Sequence, residues 1–176
     1  MKILLVNKFL YPKGGDAIST LATGELLQKK GHKVLFWGMQ HPDNPLYPMN
    51  SYFVSYVDLN KAVDIWGKLK TITRILYSFE AKRKAEKLIK KEKPDIIHLN
   101  NFAHQISPSI IDVFAKWNIP MVMTIHDYKL VCPSYTMFSN GKVCERCKDS
   151  RYYWCFINKC TKNSYLKMHI LILFPN

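Results

Sequence analysis

The chain has 176 residues, 48% of them hydrophobic, which predicts one domain with a sizeable core and excludes a disordered polypeptide. Lys and Arg number 26 against 13 Asp and Glu, a formal charge of +13; this attracts anions (nucleic acid, phosphorylated small molecules or an anionic bilayer) without choosing among them. The apolar run at residues 3–6 is too short for a secretory leader, and the longest clean run, 170–174, is far below the roughly 18–20 residues of a membrane span. A cytoplasmic protein is expected, and its five cysteines read as thiols or metal ligands rather than disulfides.

Residues 2–6 (KILLV) predict a buried strand ending at Asn7. A loop with Gly14 and Gly15 follows. Ala17, Ile18, Leu21, Ala22, Leu26 and Leu27 then recur at helical spacing, with Asp16 as the expected cap and Gly31 as the stop. Residues 33–38 read as a second strand, completing a βαβ unit with parallel pairing. The glycine pair before a helix N-terminus suits an anion, although by itself a plain turn is the favoured reading, and neither the dinucleotide nor the P-loop fingerprint is present.

Residues 40–60 are turn-rich, with a short edge strand expected at 52–57. Residues 61–92 read as helix in one or two pieces; from 81 to 93 it carries Lys82, Arg83, Lys84, Lys87, Lys90, Lys91 and Lys93 against two Glu. Without aromatics for base stacking this is a solvated face rather than a nucleic-acid stripe. Pro94 stops it, and 95–100 form the next strand, with His98 expected as a packed core histidine. Ser107 and Pro108 open a helix whose buried face is expected to hold Ile110, Ile111, Phe114 and Trp117. The run at 119–125 predicts a strand buried on both faces, ending at His126 and Asp127. In a parallel sheet, Asn7, Gly38, Asn100 and His126 all emerge at the carboxyl edge beside the Gly14–Gly15 loop, where such sheets bind ligands.

With these residues in view, the chain resembles the N-terminal half of a family 4 glycosyltransferase of GT-B architecture, in a cysteine-containing bacterial subset that builds capsule and other envelope polysaccharides. The likeness rests on MKILLVN at 1–7, the Gly14–Gly15 loop, residues 26–32, KPDIIH at 93–98, residues 120–127, HDYKLVCP at 126–133, NGKVCERC at 140–147, and Cys155 and Cys160. It covers about residues 1–165, including a cysteine-rich loop at 127–163, and leaves 166–176 as a tail. It implies an α/β fold, a Rossmann-like parallel sheet with helices on both faces, forming one half of GT-B. It also implies retaining transfer of a sugar from a nucleotide-sugar to a saccharide or lipid-linked acceptor, with no cofactor or catalytic metal. By the same resemblance His126 is the candidate catalytic residue. Gly14, Gly15, Asp16, Asn100, His104 and Asp127 are candidates for donor-phosphate or acceptor binding, with Asp127 either orienting His126 or capping its loop. The family's nucleotide-binding second domain is absent from these 176 residues, so unaided catalysis is not expected, and a truncated product or a separately supplied C-terminal domain follows.

Cys132, Cys144, Cys147, Cys155 and Cys160 form a candidate structural zinc site, because the CxxC pair places two thiolates within reach of one tetrahedral ion. The competing reading is free thiols packed with Tyr152, Tyr153 and Trp154. The positive charge suits peripheral contact with an anionic membrane or a lipid-diphosphate acceptor. Two other functions compete: a zinc-stabilised nucleic-acid-binding module, for which base-stacking aromatics are lacking, and a catalytically inactive interaction protein.

Overall fold

The computed structural model describes residues 1–56, 74, 77–103 and 105–160. Val57, His104, most of the expected helix between 61 and 76, and the segment 161–176 lie outside those residues. The chain divides into two compact units, Met1–Thr124 and Ile125–Asn176.

The first unit is a parallel sheet in the order β2-β1-β3-β4, comprising β1 (Lys2–Val6), β2 (Lys33–Trp37), β3 (Ile96–Leu99) and β4 (Met121–Met123). The helices are α1 (Gly15–Lys29), α2 (Phe79–Glu92) and α3 (Ser109–Lys116). The crossover from β1 through α1 to β2 runs one way across the sheet; those reaching β3 and β4 run the other. Right-handed crossovers therefore place α1 on one face and α2 and α3 on the opposite one. This is the Rossmann-like arrangement expected. On the α2–α3 side, Ala81, Ala85, Leu88 and Ile89 of α2 and Ile110, Val113 and Phe114 of α3 join Leu4, Val6, Trp37 and Ile97 in one core.

Helix ends follow local chemistry. α1 is capped by Gly14, with no side-chain capping bond. Asp16 therefore sits inside the first turn rather than at the cap, where its charge still complements the helix dipole. α1 closes in a Schellman turn: the Gly31 N–H bonds to the Gln28 carbonyl (2.9 Å), the His32 N–H to that of Leu27 (3.1 Å), and Gly31 has φ +82. Asn118, φ 50, does the same for α3, its N–H bonding to Ala115 and that of Ile119 to Phe114.

Three buried serines join the starts of α2 and α3. The Ser78 hydroxyl accepts from the Ala81 N–H (3.1 Å), and the Ser107 hydroxyl accepts from the Ser78 N–H (2.9 Å). Ser109 donates to the Ser78 carbonyl at 2.9 Å. Its single proton is thereby used, so Ser107 is the donor in their 2.8 Å contact. Ser78 thus caps the start of α2, inside the stretch 61–92 that the sequence reads as helix in one or two pieces.

Several expectations change. β4 is not buried on both faces: it is an edge strand with Met121, Val122 and Met123 exposed, paired only to β3 among the described strands. Ile111 and Trp117 are more than a third exposed rather than core-facing. His98 is half-buried, its Nε2 2.7 Å from the Thr124 hydroxyl. The expected edge strand at 52–57 is a 3-10 turn, Asn50–Tyr52, followed by a lone parallel bridge from Val54 to Met39.

Among its described residues the second unit has little regular structure: a hairpin of β5 (Phe138–Ser139) and β6 (Lys142–Val143), and a short helix α4 (Tyr153–Ile157).

Gly38 stands where β2 leaves the sheet, and a Cβ there would lie 2.5 Å from the Asn7 carbonyl oxygen. Gly38→Ala is expected to cost about 1–3 kcal/mol, read as a lowered urea midpoint at unchanged slope. Glu80 gives a second test. It bonds the Ser55 N–H (2.9 Å) and hydroxyl (2.6 Å) and pairs with Arg74 (2.9 Å) and Lys84 (3.0 Å). Burial alone would push its pKa up, but Ser55, Lys84 and Arg74 outweigh it and hold the carboxyl down to about 2. The folded pKa lies below the unfolded one. Discounted for solvent screening of a partly exposed group, stability of about 1–2 kcal/mol is therefore present above about pH 4.5 and lost as the pH falls towards 2. Glu80→Gln should flatten that part of the stability–pH curve.

Candidate functional site

The strand order reverses direction at β1: the first crossover goes to β2 on one side, the next to β3 on the other. Crevices of open α/β sheets form at such a switch point, outside the carboxyl ends of the strands. Here the residue after β1 is Asn7, fully buried, and its side chain ties the diverging loops together. Its Oδ1 accepts from the Asn101 N–H (2.9 Å) and its Nδ2 donates to the Phe9 carbonyl (2.8 Å), while the Lys8 N–H bonds to the Asn101 carbonyl (2.8 Å). A buried amide with both ends satisfied holds one geometry, because leaving either end unmade would cost a full desolvation.

From that anchor the loop at 8–14 meets the segment after β2. The Asn44 side chain accepts from the Leu10 N–H (3.2 Å) and donates to the Met39 carbonyl (2.8 Å), and Tyr47 donates to the Leu10 carbonyl (3.1 Å). Burial raises the Tyr47 pKa, keeping it a neutral donor. The result is an aromatic group at the carboxyl edge. Tyr11 stacks on His41 with centroids 4.6 Å apart, and Phe9 meets both edge-on at 5.6 and 5.7 Å. Tyr56, 45% exposed, packs against His41 at 5.1 Å. Lys13 Nζ lies 3.9 Å from the Phe9 ring centre and Lys8 Nζ 5.8 Å. The Asp43 N–H donates to His41 Nδ1 (3.2 Å), which leaves Nε2 as the protonated nitrogen of neutral His41, facing Tyr11 Oη at 3.3 Å.

The sequence-predicted residues fall on both units. In the first, Gly14, Gly15 and Asp16 begin α1 and Asn100 follows β3, all at the carboxyl edge. Asp16 Oδ2 is buried with no hydrogen-bond partner among the described residues, beside the glycine pair that starts α1. His126 and Asp127 belong to the second unit and are exposed. Asp127 Oδ1 accepts from the Lys129 N–H (3.0 Å), the bond a loop cap makes.

The five cysteines are free thiols, and Cys132, Cys147 and Cys155 are buried. Cys147 and Cys155 pack with Tyr152, Trp154 and Cys160. Burial is the main cause pushing Cys147 up to about 11 and Cys155 to about 12, with neighbouring thiols adding to it. Among the described residues no group of three or more His, Cys, Asp or Glu is arranged to hold a metal ion.

Sequence reasoning missed Phe9, Tyr11, Lys13 and His41 as a group. The aromatic density of 9–11 was visible, but nothing local shows that His41, some thirty residues on, returns to stack on it.

The model of a protein family, Glycosyltransferase Family 4, matches residues 13–156. A protein of Klebsiella pneumoniae described as an uncharacterized 42.6 kDa protein in cps region is 30% identical over 153 residues, covering 80% of this chain and 40% of that protein. The chain thus spans about two fifths of the length of the curated relative it matches. No helix among the described residues is long and apolar enough to cross a membrane.

Asn7→Ala would strand the Asn101 N–H and the Phe9 carbonyl. The expected loss is about 1–3 kcal/mol, with faster amide exchange at residues 8–11 and 101 than in α2.

Proposed function

We propose, from the premise that this chain belongs to glycosyltransferase family 4, that it is the acceptor-side half of an enzyme building a cell-envelope polysaccharide. The reaction is retaining transfer from a nucleotide-sugar to a saccharide or lipid-linked acceptor, with no catalytic metal. The observation that carries the reading is the aromatic and cationic group at the carboxyl edge, where Tyr11, His41 and Phe9 converge beside Lys8 and Lys13. Aromatic faces suit the C–H face of a sugar ring. The Asp16 carboxylate suits a hydroxyl and opposes a phosphate, so of the two uses expected for the Gly14–Gly15 loop, acceptor binding is favoured over donor phosphate. The lysines suit the diphosphate of a lipid-linked acceptor and, with the overall charge of +13, a peripheral position at the inner face of the membrane.

A second domain, continuous or supplied separately, brings the nucleotide-sugar. His126, exposed, is the proposed catalytic group, donating a hydrogen bond to the transferred sugar as charge develops. The cps-region location of the Klebsiella relative favours capsule as the product.

Calorimetric titration with a saccharide acceptor tests the binding half. Tyr11→Ala and His41→Ala are each expected to weaken binding about tenfold, close to 1.4 kcal/mol; unchanged affinity in both would contradict the assignment. In a transfer assay with the complementary domain supplied, His126→Ala should lower kcat by about 10²–10³ with little change in KM.

A further inference from the structure

Among its described residues the second unit buries sulfur and leaves large apolar side chains exposed. Ile125, Leu130, Val131, Phe138, Val143 and Ile157 are all at least 44% exposed, while Cys132, Cys147 and Cys155 are no more than 8% exposed. Two strands of two residues and one helix of five are its regular structure among the described residues. Units this small, with so little apolar burial, are held by a staple, either disulfides or a metal. All five sulfurs are free thiols, and five is an odd number for disulfide pairing.

The backbone brings the sulfurs together by recognisable means. α4 ends with Lys159 in the left-handed region, φ 48, and the Cys160 N–H bonds back to the Cys155 carbonyl at 3.1 Å. This is the outer bond of a Schellman turn, in which the side chains at the two bonded positions meet. It explains why a four-residue spacer, loose by the standard of metal motifs, puts Cys160 against Cys155 in the buried cluster with Cys147. The β5–β6 hairpin is prolonged by the Cys144 N–H to Met137 carbonyl bond (2.8 Å), and the turn marked by Lys148 N–H to the Glu145 carbonyl (3.0 Å) delivers Cys147. Cys132 opens another turn, its carbonyl bonded to the Tyr135 N–H (2.7 Å) and its sulfur 3.1 Å from the Ser134 hydroxyl.

We infer that the second unit takes a thiophilic divalent cation of the zinc type, held by the thiolates of Cys147, Cys155 and Cys160 with a fourth from Cys132 or Cys144. Four thiols lose four protons as one dication binds, with no redox change. The three named sulfurs are gathered but not yet in ligand geometry, since no metal-holding group of three is formed among the described residues. Binding closes the turns that carry them, as in other small metal-coupled folds. The role is structural, and the inference stands apart from the sugar-transfer reading.

The test uses the full chain, purified under reducing conditions without chelator. One equivalent of zinc by elemental analysis is expected. After stripping, Co²⁺ should give intense thiolate-to-metal charge transfer and the visible bands of a tetrahedral site. Cys155→Ser and Cys160→Ser are each expected to lose that charge transfer and weaken binding at least tenfold. Of Cys132→Ser and Cys144→Ser, the one that loses it names the fourth ligand; retention in both overturns the four-thiolate assignment. Should the variants fail to fold, wild-type protein decides alone, through its cobalt spectrum and chelator-dependent proteolysis confined to residues 125–160. Absence of both stoichiometric metal and charge transfer in wild type overturns the proposal.

Discussion

The first unit depends on one buried amide. Asn7 stands where β1 ends and the crossovers part, and its two hydrogen bonds hold the loop after β1 to the backbone after β3. An apolar residue of the same size would leave the Phe9 carbonyl and the Asn101 N–H unpaired in the interior. Gly38 completes the constraint by letting the β2 exit pass against the Asn7 carbonyl, where a Cβ would lie 2.5 Å away. The features on which the proposed saccharide surface rests, from the stacked Tyr11 and His41 to the start of α1, are carried by loops pinned at those two residues.

The two units are stabilised by different chemistry. The first buries aliphatic and aromatic side chains between sheet and helices, with Trp37, Phe114, Leu4 and Ile97 fully buried. Among its described residues the second buries Cys132, Cys147, Cys155, Tyr152 and Ser134. The order of the first rests on apolar burial and on the Glu80 cluster, whereas the thiolate site proposed for the second would tie its order to thiol chemistry.

Much of the first unit was legible because its signals are local. The runs at 2–6, 33–37 and 96–99 are short, apolar and punctuated, and Gly31 marks the end of α1 through the left-handed residue it supplies. The misreadings come from tertiary context. The run at 121–123 is as apolar as its neighbours, and nothing in it says that the sheet order leaves it at an edge. The helical pattern through 61–92, read as one or two pieces, does not show that a helix starts at Ser78, because its partner there is Ser107, distant in sequence. At the site, Asn100 and the glycine loop were legible as strand-end and helix-start residues. The platform was not, since stacking of Tyr11 on His41 arises only once β1 and β2 pair in register. The crowded cysteines were plain in the sequence, but the turn that joins Cys155 to Cys160 was not, because Lys159 gives no sign of a left-handed backbone.

The central claim is that the pinned carboxyl edge of the parallel sheet is where a saccharide binds. Amide-resolved NMR of the full chain during titration with a capsular oligosaccharide tests it most directly. Shifts concentrated at residues 8–16, 38–44 and 100–103 are predicted, with the amino edge around Lys2, Lys33 and Asp95 undisturbed. Shifts centred on that opposite edge, or none at saturating ligand, would contradict it.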